Sequence, residues 1–296
     1  MGRKSNSIVL MFCLWAFTGL GQKTLIPGAA QFSAYLPALK GKQVALVVNH
    51  TSVVGKTHLA DTLLSLGVSV KKIFAPEHGF RGTADAGAHI DNEVDRKTGL
   101  ALISLYGKHK KPTPEDLQGI DVVLFDIQDV GARFYTYSST LHYVLEACAE
   151  NKVPLTVLDR PNPNGHYVDG PVLEKAQASF VGLNPIPVVH GCTLGELARM
   201  INGEGWLVNR AKASLNVIPV ANYTHASPVH VAIAPSPNLP NDQSIALYPS
   251  LCLFEGTNVS IGRGTDLQFQ VVGTNIAGIG DYTFTPVPKP GAMDPP

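Results

Sequence analysis

The stretch DVVLFDI, residues 121–127, decides the fold class of this chain. It is a short β-branched apolar run that ends in polar residues, as expected for a strand buried on both faces. Four further runs of this kind occur at 43–48, 70–75, 154–158 and 215–220. Stretches with helical spacing lie between them at 58–66, 138–150 and 193–204. This alternation predicts an α/β fold in which helices cover a parallel sheet.

The C-terminal part of the chain differs in composition and lacks the alternating pattern. From about residue 234 it is rich in Pro and Asn turns, and residues 277–296 contain many Gly and Pro without periodicity. We therefore expect a main α/β domain over 23–255, preceded by an N-terminal segment at 1–22. Residues 256–296 would begin a smaller α+β domain that is incomplete in this sequence.

Composition leaves a small or neutral ligand as the default. The 23 basic residues balance the 23 acidic ones, so nothing indicates a nucleic-acid partner or an anionic membrane surface. Hydrophobic residues make up 45% of the chain, which is enough for a sizeable core. The cysteines are widely spaced, so we expect buried thiols and neither disulfides nor a zinc site.

The N-terminus has the pattern of a signal peptide. Arg3 and Lys4 precede an apolar run at 8–20, and small residues follow at Gly19 and Gly21. The run is too short for a spanning helix, so we expect cleavage near residue 22 and a secreted or periplasmic protein without a stable membrane span. An N-terminal membrane anchor is the alternative. Cys13 lies inside the run, which argues against a lipoprotein cleavage site.

Polar loops follow three of the predicted strands. EHGFRG starts at Glu77, DIQDVGAR starts at Asp126, and DRPNPNG starts at Asp159. In a parallel sheet these loops leave the same carboxyl edge, where open α/β sheets bind their ligands. We therefore expect them to converge on one crevice.

The acidic residues of that crevice match glycoside hydrolysis. This reaction generally uses two carboxyl groups, one as general acid and one as nucleophile or base. Glu77, Asp126 and Asp129 are the candidate catalytic residues. A loop ion pair for Glu77 and turn-capping roles for the two aspartates are the structural alternatives.

Other chemistries have weaker support. His78, Asp85 and His89 contain metal-ligating side chains, but their spacing matches no metal motif. The turn after the first strand, NHTSVVG, lacks the glycine fingerprint of a nicotinamide site. We therefore expect neither a cofactor nor a catalytic metal, and a metal-dependent hydrolase stays an alternative.

Four long motifs resemble the exo-β-N-acetylmuramidase family, a bacterial family formerly of unknown function. They are PEHGFRG (76–82), DIQDVGARFYTY (126–137), LDRPNPNG (158–165) and FEGTNVSIGRGTD (254–266). The resemblance implies a Rossmann-like domain, a smaller second domain and a site in the cleft between them. It also implies release of N-acetylmuramic acid from the non-reducing end of peptidoglycan fragments, with Glu77 as the favoured catalytic residue.

The same motifs contain the candidate substrate-binding residues. These are His78, Arg81, Arg133, Tyr135, Arg160, Asn162, Glu255, Asn258 and Arg263. N-acetylmuramic acid carries a lactyl carboxylate, and the planar fork of an arginine can bind both of its oxygens. Arg81, four residues after Glu77, is the first choice among the four arginines.

The resemblance has one departure. Family members continue well beyond the end of this sequence, so the chain resembles one that lacks most of its second domain. A non-catalytic protein that binds cell-wall sugar is therefore an alternative to the glycosidase.

Overall fold

The computed structural model describes residues 23–77, 79–80, 93–289 and 291–293. The predicted signal peptide lies outside the described residues. So do His78, Arg81, Asp85 and His89.

A seven-stranded sheet organises the described chain. Its strands are β1 (Gln43–Val48), β4 (Ser69–Ala75), β5 (Glu93–Val94), β6 (Ala101–Ser104), β7 (Val122–Asp126), β8 (Leu155–Leu158) and β9 (Leu215–Ile218), while β2 (Val53–Val54) and β3 (Thr57–His58) form a small hairpin. The sheet order is β5-β6-β4-β1-β7-β8-β9. All neighbours pair in parallel except β5, which lies antiparallel on the β6 edge. The predicted α/β class with a parallel sheet is confirmed.

The order of the six parallel strands is that of a Rossmann fold. Counted along the chain, they run 3-2-1-4-5-6 across the sheet, so the direction of winding reverses between β1 and β7. At such a reversal the loops after the two central strands diverge to opposite faces and leave a crevice between them. The fold therefore places a crevice beside the ends of β1 and β7.

Side chains alternate between two apolar clusters because successive residues of a strand point to opposite faces. In β1, Ala45 and Val47 join the larger cluster, whereas Val44, Leu46 and Val48 join the smaller one. Every residue of β7 is buried. Both faces of the sheet are thus covered, which explains why the strands are continuous apolar runs.

Six helices are described around the sheet. They are α1 (Phe32–Leu39), α2 (Leu59–Ser65), α3 (Pro114–Leu117), α4 (Tyr137–Asn151), α5 (Leu194–Glu204) and α6 (Asp242–Leu251). The predicted helices at 58–66, 138–150 and 193–204 are confirmed as α2, α4 and α5. At the start of α5, Thr193 and Glu196 form the capping box that their spacing predicts.

Three helices were not predicted: the four-residue α3, and α1 and α6, which each contain an internal proline. Pro37 lies inside α1, and Pro249 lies inside α6. Proline removes a helical hydrogen bond and is normally a helix breaker, so the pattern was not recognised as helical. Asn241 caps the start of α6 by accepting a hydrogen bond from the Ser244 N–H at 2.9 Å.

The segment after α6 packs on the larger cluster with little regular structure. Ile261 and Phe269 are buried there, and Phe269 contacts the ring of Tyr248 on α6 at 5.1 Å between centroids. Ser260 and Gly273 pair as an antiparallel bridge. Within the described residues, no helix is both long and apolar enough to cross a membrane.

Candidate active site

The carboxyl ends of the strands bring the predicted loops to one edge of the sheet. Glu77 follows β4, Asn49 follows β1, Asp126 ends β7 and Arg160 follows β8. These strands are neighbours or near neighbours in the sheet. The convergence predicted from the three polar loops is therefore present in the described chain.

Glu77 is held by hydroxyl groups. The Thr136 hydroxyl, at the start of α4, donates to Glu77 Oε2 at 3.0 Å. Tyr106, which follows β6, also forms a side-chain hydrogen bond with Glu77. Burial, together with the negative charge of Glu77, raises the pKa of Tyr106 to about 12, so its phenol keeps a proton to donate. Glu77 is half-buried and is thus both oriented and within reach of solvent.

Three tyrosines in contact, Tyr137, Tyr135 and Tyr248, extend from Glu77 to α6. Tyr137 lies 3.5 Å from the Glu77 carbonyl oxygen through its hydroxyl, which accepts a hydrogen bond from Asn49 Nδ2 at 2.8 Å. Its ring meets that of Tyr135 edge to face, with centroids 4.8 Å apart, and Tyr135 in turn contacts Tyr248 at 5.7 Å. Burial raises the pKa of Tyr135 and of Tyr137, so both remain neutral.

Tyr135 was predicted to bind substrate. Its hydroxyl instead donates to the Pro235 carbonyl at 2.7 Å, and the residue is buried. Tyr135 therefore packs between Tyr137 and Tyr248, and its hydrogen bond joins the β7 loop to the segment before α6.

Asp126 is engaged in a buried ion pair. Arg160 donates to both of its oxygens, from Nε at 2.5 Å and from Nη2 at 3.0 Å, and Asp126 is 0% exposed. Arg160 Nη2 also donates to the Val53 carbonyl at 3.1 Å. These contacts join the ends of β7 and β8 to the β2 hairpin. They give Asp126 a structural role as the partner of Arg160, which differs from the turn-capping alternative, and they commit the Nε and Nη2 atoms of Arg160 to protein contacts.

Asp129 is buried but only partly satisfied. Its Oδ2 accepts the Gly131 N–H at 2.7 Å and lies 3.7 Å from His190 Nε2. Its Oδ1 is buried and accepts no hydrogen bond from the described residues. Of the two predicted aspartates, Asp129 is the one that retains an acceptor for a proton or a ligand.

Gly131 and the predicted residue Asn162 shape the loops around Asp129. Gly131 has a φ of 79°, and a Cβ there would lie 2.2 Å from Asn162 Oδ1, so the close approach of the two motifs requires glycine. Asn162 donates to the Cys192 carbonyl at 2.8 Å, and its side chain also accepts the Asn164 N–H at 2.8 Å. Within the described structure, the Asn162 side chain therefore joins its own loop to the segment at Cys192.

Arg133 is also committed to backbone contacts. It donates to the carbonyls of Pro171 at 2.9 Å and Ile186 at 2.5 Å, and it is buried. Burial lowers its pKa. Because its contacts hold the 171–186 loop, it is a weak candidate for binding a substrate carboxylate.

Glu255 and Arg263 form an ion pair after α6. The Arg263 guanidinium lies over the Phe269 ring, 5.5 Å from its centroid. Burial raises the pKa of Glu255, Arg263 opposes that change, and the negative charge of Glu77 adds to it. Glu255 is thus close enough to Glu77 for the two charges to interact, so the FEGTNVSIGRGTD motif contributes to the same site. Asn258, from this motif, is exposed on a separate groove formed by residues 258–286.

Sequence reasoning missed several residues that touch Glu77. Thr136 and Tyr137 lie inside the DIQDVGARFYTY motif, so the motif itself was an available signal. Tyr106 lies outside every motif, and nothing local marks it. Among the described residues, no group of three or more His, Cys, Asp or Glu side chains is arranged to hold a metal ion.

Comparison with known proteins gives a consistent match. The sequence profile described as "Exo-beta-N-acetylmuramidase NamZ, N-terminal" matches residues 44–243, and the corresponding C-terminal profile matches residues 246–283. A curated relative, the peptidoglycan beta-N-acetylmuramidase NamZ of Bacillus subtilis, is 44% identical over 260 residues. This alignment covers 86% of the chain but only 60% of that relative.

Two solved structures, both DUF1343 family proteins from Bacteroides fragilis, share the fold. The first has a TM-score of 0.86 and 50% identity, covering 93% of this chain and 74% of its own. The second has a TM-score of 0.77 and 37% identity, with coverage of 84% and 65%.

Proposed function

Because the chain belongs to the exo-β-N-acetylmuramidase NamZ family, we propose that it hydrolyses the bond that links a terminal N-acetylmuramyl residue to a peptidoglycan fragment. The observation that carries the proposal is the position of Glu77. It is a half-buried carboxylate at the carboxyl edge, held by the hydroxyls of Thr136 and Tyr106. A carboxyl group with a defined orientation and access to solvent is what general acid–base or nucleophilic attack on a glycoside requires.

A second carboxyl group completes the proposed chemistry. Asp129 retains a buried oxygen without a partner in the described chain, and Glu255 interacts electrostatically with Glu77. Two carboxyl groups that flank the scissile bond can divide the acid and base roles. We expect Asp129 or Glu255, and not the paired Asp126, to act with Glu77.

The test compares two chromogenic substrates in the presence of a chelator. We expect turnover of the N-acetylmuramide, none of the N-acetylglucosaminide, and no loss with the chelator. Turnover of only the glucosaminide would contradict the proposed specificity, and complete loss with the chelator would favour a metal-dependent hydrolase.

A Glu77→Gln variant separates cutting from binding. The amide keeps the shape of the side chain but cannot transfer a proton, so we expect kcat to fall by about 10²–10⁴-fold. If the unchanged protein has no turnover and the variant binds muramyl saccharide equally well, the protein is a sugar-binding module.

The proposed substrate agrees with the expected location. Peptidoglycan lies outside the cytoplasmic membrane, and the pattern at residues 1–22 is that of a signal peptide. Export followed by cleavage near residue 22 supports a role in recycling cell-wall sugar. Cell fractionation and N-terminal sequencing of the exported protein test this, and a retained apolar segment in the membrane fraction would favour the anchor.

A further inference from the structure

Beside Glu77, three aromatic rings form a continuous surface of which the proposed chemistry uses only the Tyr106 hydroxyl. We call Tyr106, Tyr143 and Phe180 the aromatic platform. The rings of Tyr106 and Phe180 lie 6.3 Å apart between centroids, and those of Tyr143 and Phe180 lie 6.2 Å apart and nearly parallel, at 13°. All three residues are partly exposed, so part of each ring is available to a ligand.

Two residues of the platform are directly linked to the elements that hold Glu77. Tyr143 lies on α4, the helix that Thr136 precedes, and Tyr106 directly contacts the Glu77 carboxylate. Phe180 lies at the tip of a tight turn in which the backbones of Ser179 and Gly182 bond to each other in both directions. The ring contacts of Phe180 with Tyr106 and Tyr143 then join this turn to the same group.

One cation covers the platform. Lys110 Nζ lies 4.5 Å from the Phe180 ring centroid. Within the described residues it has no carboxylate partner, unlike the neighbouring Lys111, which pairs with Glu146 and Glu150. A flexible lysine held only by a ring face can move aside when a ligand stacks, and its ammonium then remains available to an anionic group.

We propose that the aromatic platform binds the saccharide on the leaving side of the scissile bond, with Lys110 near the next acidic group of that saccharide. One face of a pyranose ring presents apolar C–H bonds, which pack on an aromatic ring while the hydroxyls stay hydrated. The inference rests on the proposed function. It adds the part of the substrate that is not released as N-acetylmuramic acid.

The direction in which the platform extends selects the leaving side. It runs from Tyr106, which touches Glu77, through Phe180 to Tyr143 and Lys110, and each ring-to-ring step is comparable with the width of one sugar. An exo-acting hydrolase holds only one sugar on the non-reducing side of its cut. A surface that extends over more than one sugar therefore fits the leaving side.

The experiment compares a substrate that has a leaving sugar with one that has none. N-acetylmuramyl fluoride loses a single atom, whereas the disaccharide of N-acetylmuramic acid and N-acetylglucosamine loses a sugar that can stack. For Phe180→Ala we expect the ratio of kcat/KM for the disaccharide to that for the fluoride to fall about tenfold, as for the loss of one aromatic contact. Phe180→Leu keeps the apolar volume without the ring face and should lower the ratio in the same direction.

The matched control is Tyr282→Ala. Tyr282 is 65% exposed and stacks on Phe284, away from the chain of contacts to Glu77. We expect its ratio to equal that of the unchanged protein. A ratio that also stays unchanged in both Phe180 variants, or an equal loss on the two substrates, would overturn the assignment to the leaving side.

The platform and the proposed function fail in different ways. If the unchanged protein cleaves neither substrate, hydrolysis is wrong, and the platform is then tested by calorimetric titration with the disaccharide. Binding that Phe180→Ala weakens about tenfold would support the platform without hydrolysis. Binding that the variant leaves unchanged, or no binding at all, would refute it.

Discussion

Replacing Arg160 by methionine should destabilise the protein strongly, because the change strands a buried charge. Asp126 is 0% exposed, and both of its oxygens accept hydrogen bonds from Arg160, at 2.5 and 3.0 Å. Because Asp126 is not exposed, solvent does not reach its oxygens in the folded protein. Removing one partner of a buried ion pair costs about 3–5 kcal/mol, and the lost bond from Nη2 to the Val53 carbonyl adds to this cost.

Urea unfolding followed by circular dichroism measures the effect as a lower midpoint at an unchanged slope. The double variant Asp126→Asn/Arg160→Met should be more stable than Arg160→Met alone, since it no longer buries an unpaired charge. Arg199→Met, at an exposed position on α5, is the matched control and should change the free energy of unfolding by less than about 0.5 kcal/mol. If Arg160→Met costs no more than this control, the ion pair does not have the structural role argued for it. The folded fraction of the Asp126→Asn variant should still turn over substrate. Complete loss of turnover in that fraction would indicate that Asp126 is a catalytic residue.

Three further predictions concern the site and its surroundings. Thr136→Val removes the hydroxyl that orients Glu77, so kcat/KM should fall roughly ten- to a hundredfold. Thr136→Ser keeps a hydroxyl and should retain most of the activity. If the valine variant is as active as the unchanged protein, Thr136 does not orient Glu77. Burial raises the pKa of Asp159 from 3.8 to about 6 in the folded protein. Between about pH 4 and 6 the folded protein therefore keeps a proton on Asp159 that the unfolded chain has lost, and the free energy of unfolding should fall as the pH rises. Denaturation across that range should show a smaller fall for Asp159→Asn, and identical slopes would contradict the assignment. Arg81→Ala should raise KM for the muramyl substrate roughly ten- to a hundredfold while the protein stays folded. If this variant and Arg263→Ala both keep full discrimination against the glucosaminyl substrate, the arginine clamp is wrong.

The strand and helix pattern could be predicted because it depends on local signals. Buried parallel strands are continuous apolar runs, and the strands predicted at 121–127 and 154–158 are found as β7 and β8. The threonine and glutamate that start α5 are three residues apart, so the capping box was readable from the sequence. The proline-containing α1 and α6 were not predicted, since tertiary packing there overrides the local preference.

The members of the site were predictable as a set but not in their roles. Glu77, Asp126 and Asp129 look alike in the sequence, as acidic residues in loops after strands. The structure separates them by their surroundings: Asp126 is paired, Asp129 is buried with an unpartnered oxygen, and Glu77 is half-buried between hydroxyls. Whether Glu77 and Asp129 act on a substrate stays a prediction.

The sequence alone determined the parallel α/β class, the carboxyl-edge loops and the family to which the motifs belong. Each of these depends on residues that are close together in the chain. Only the tertiary structure decided which carboxylate is neutralised by a partner and which is exposed to the crevice. The partner of Asp126 is 34 residues away, and the hydroxyl that holds Glu77 is 59 residues away. Charge pairing and burial depend on distance in space, and that distance is set only when the strands have assembled into the sheet.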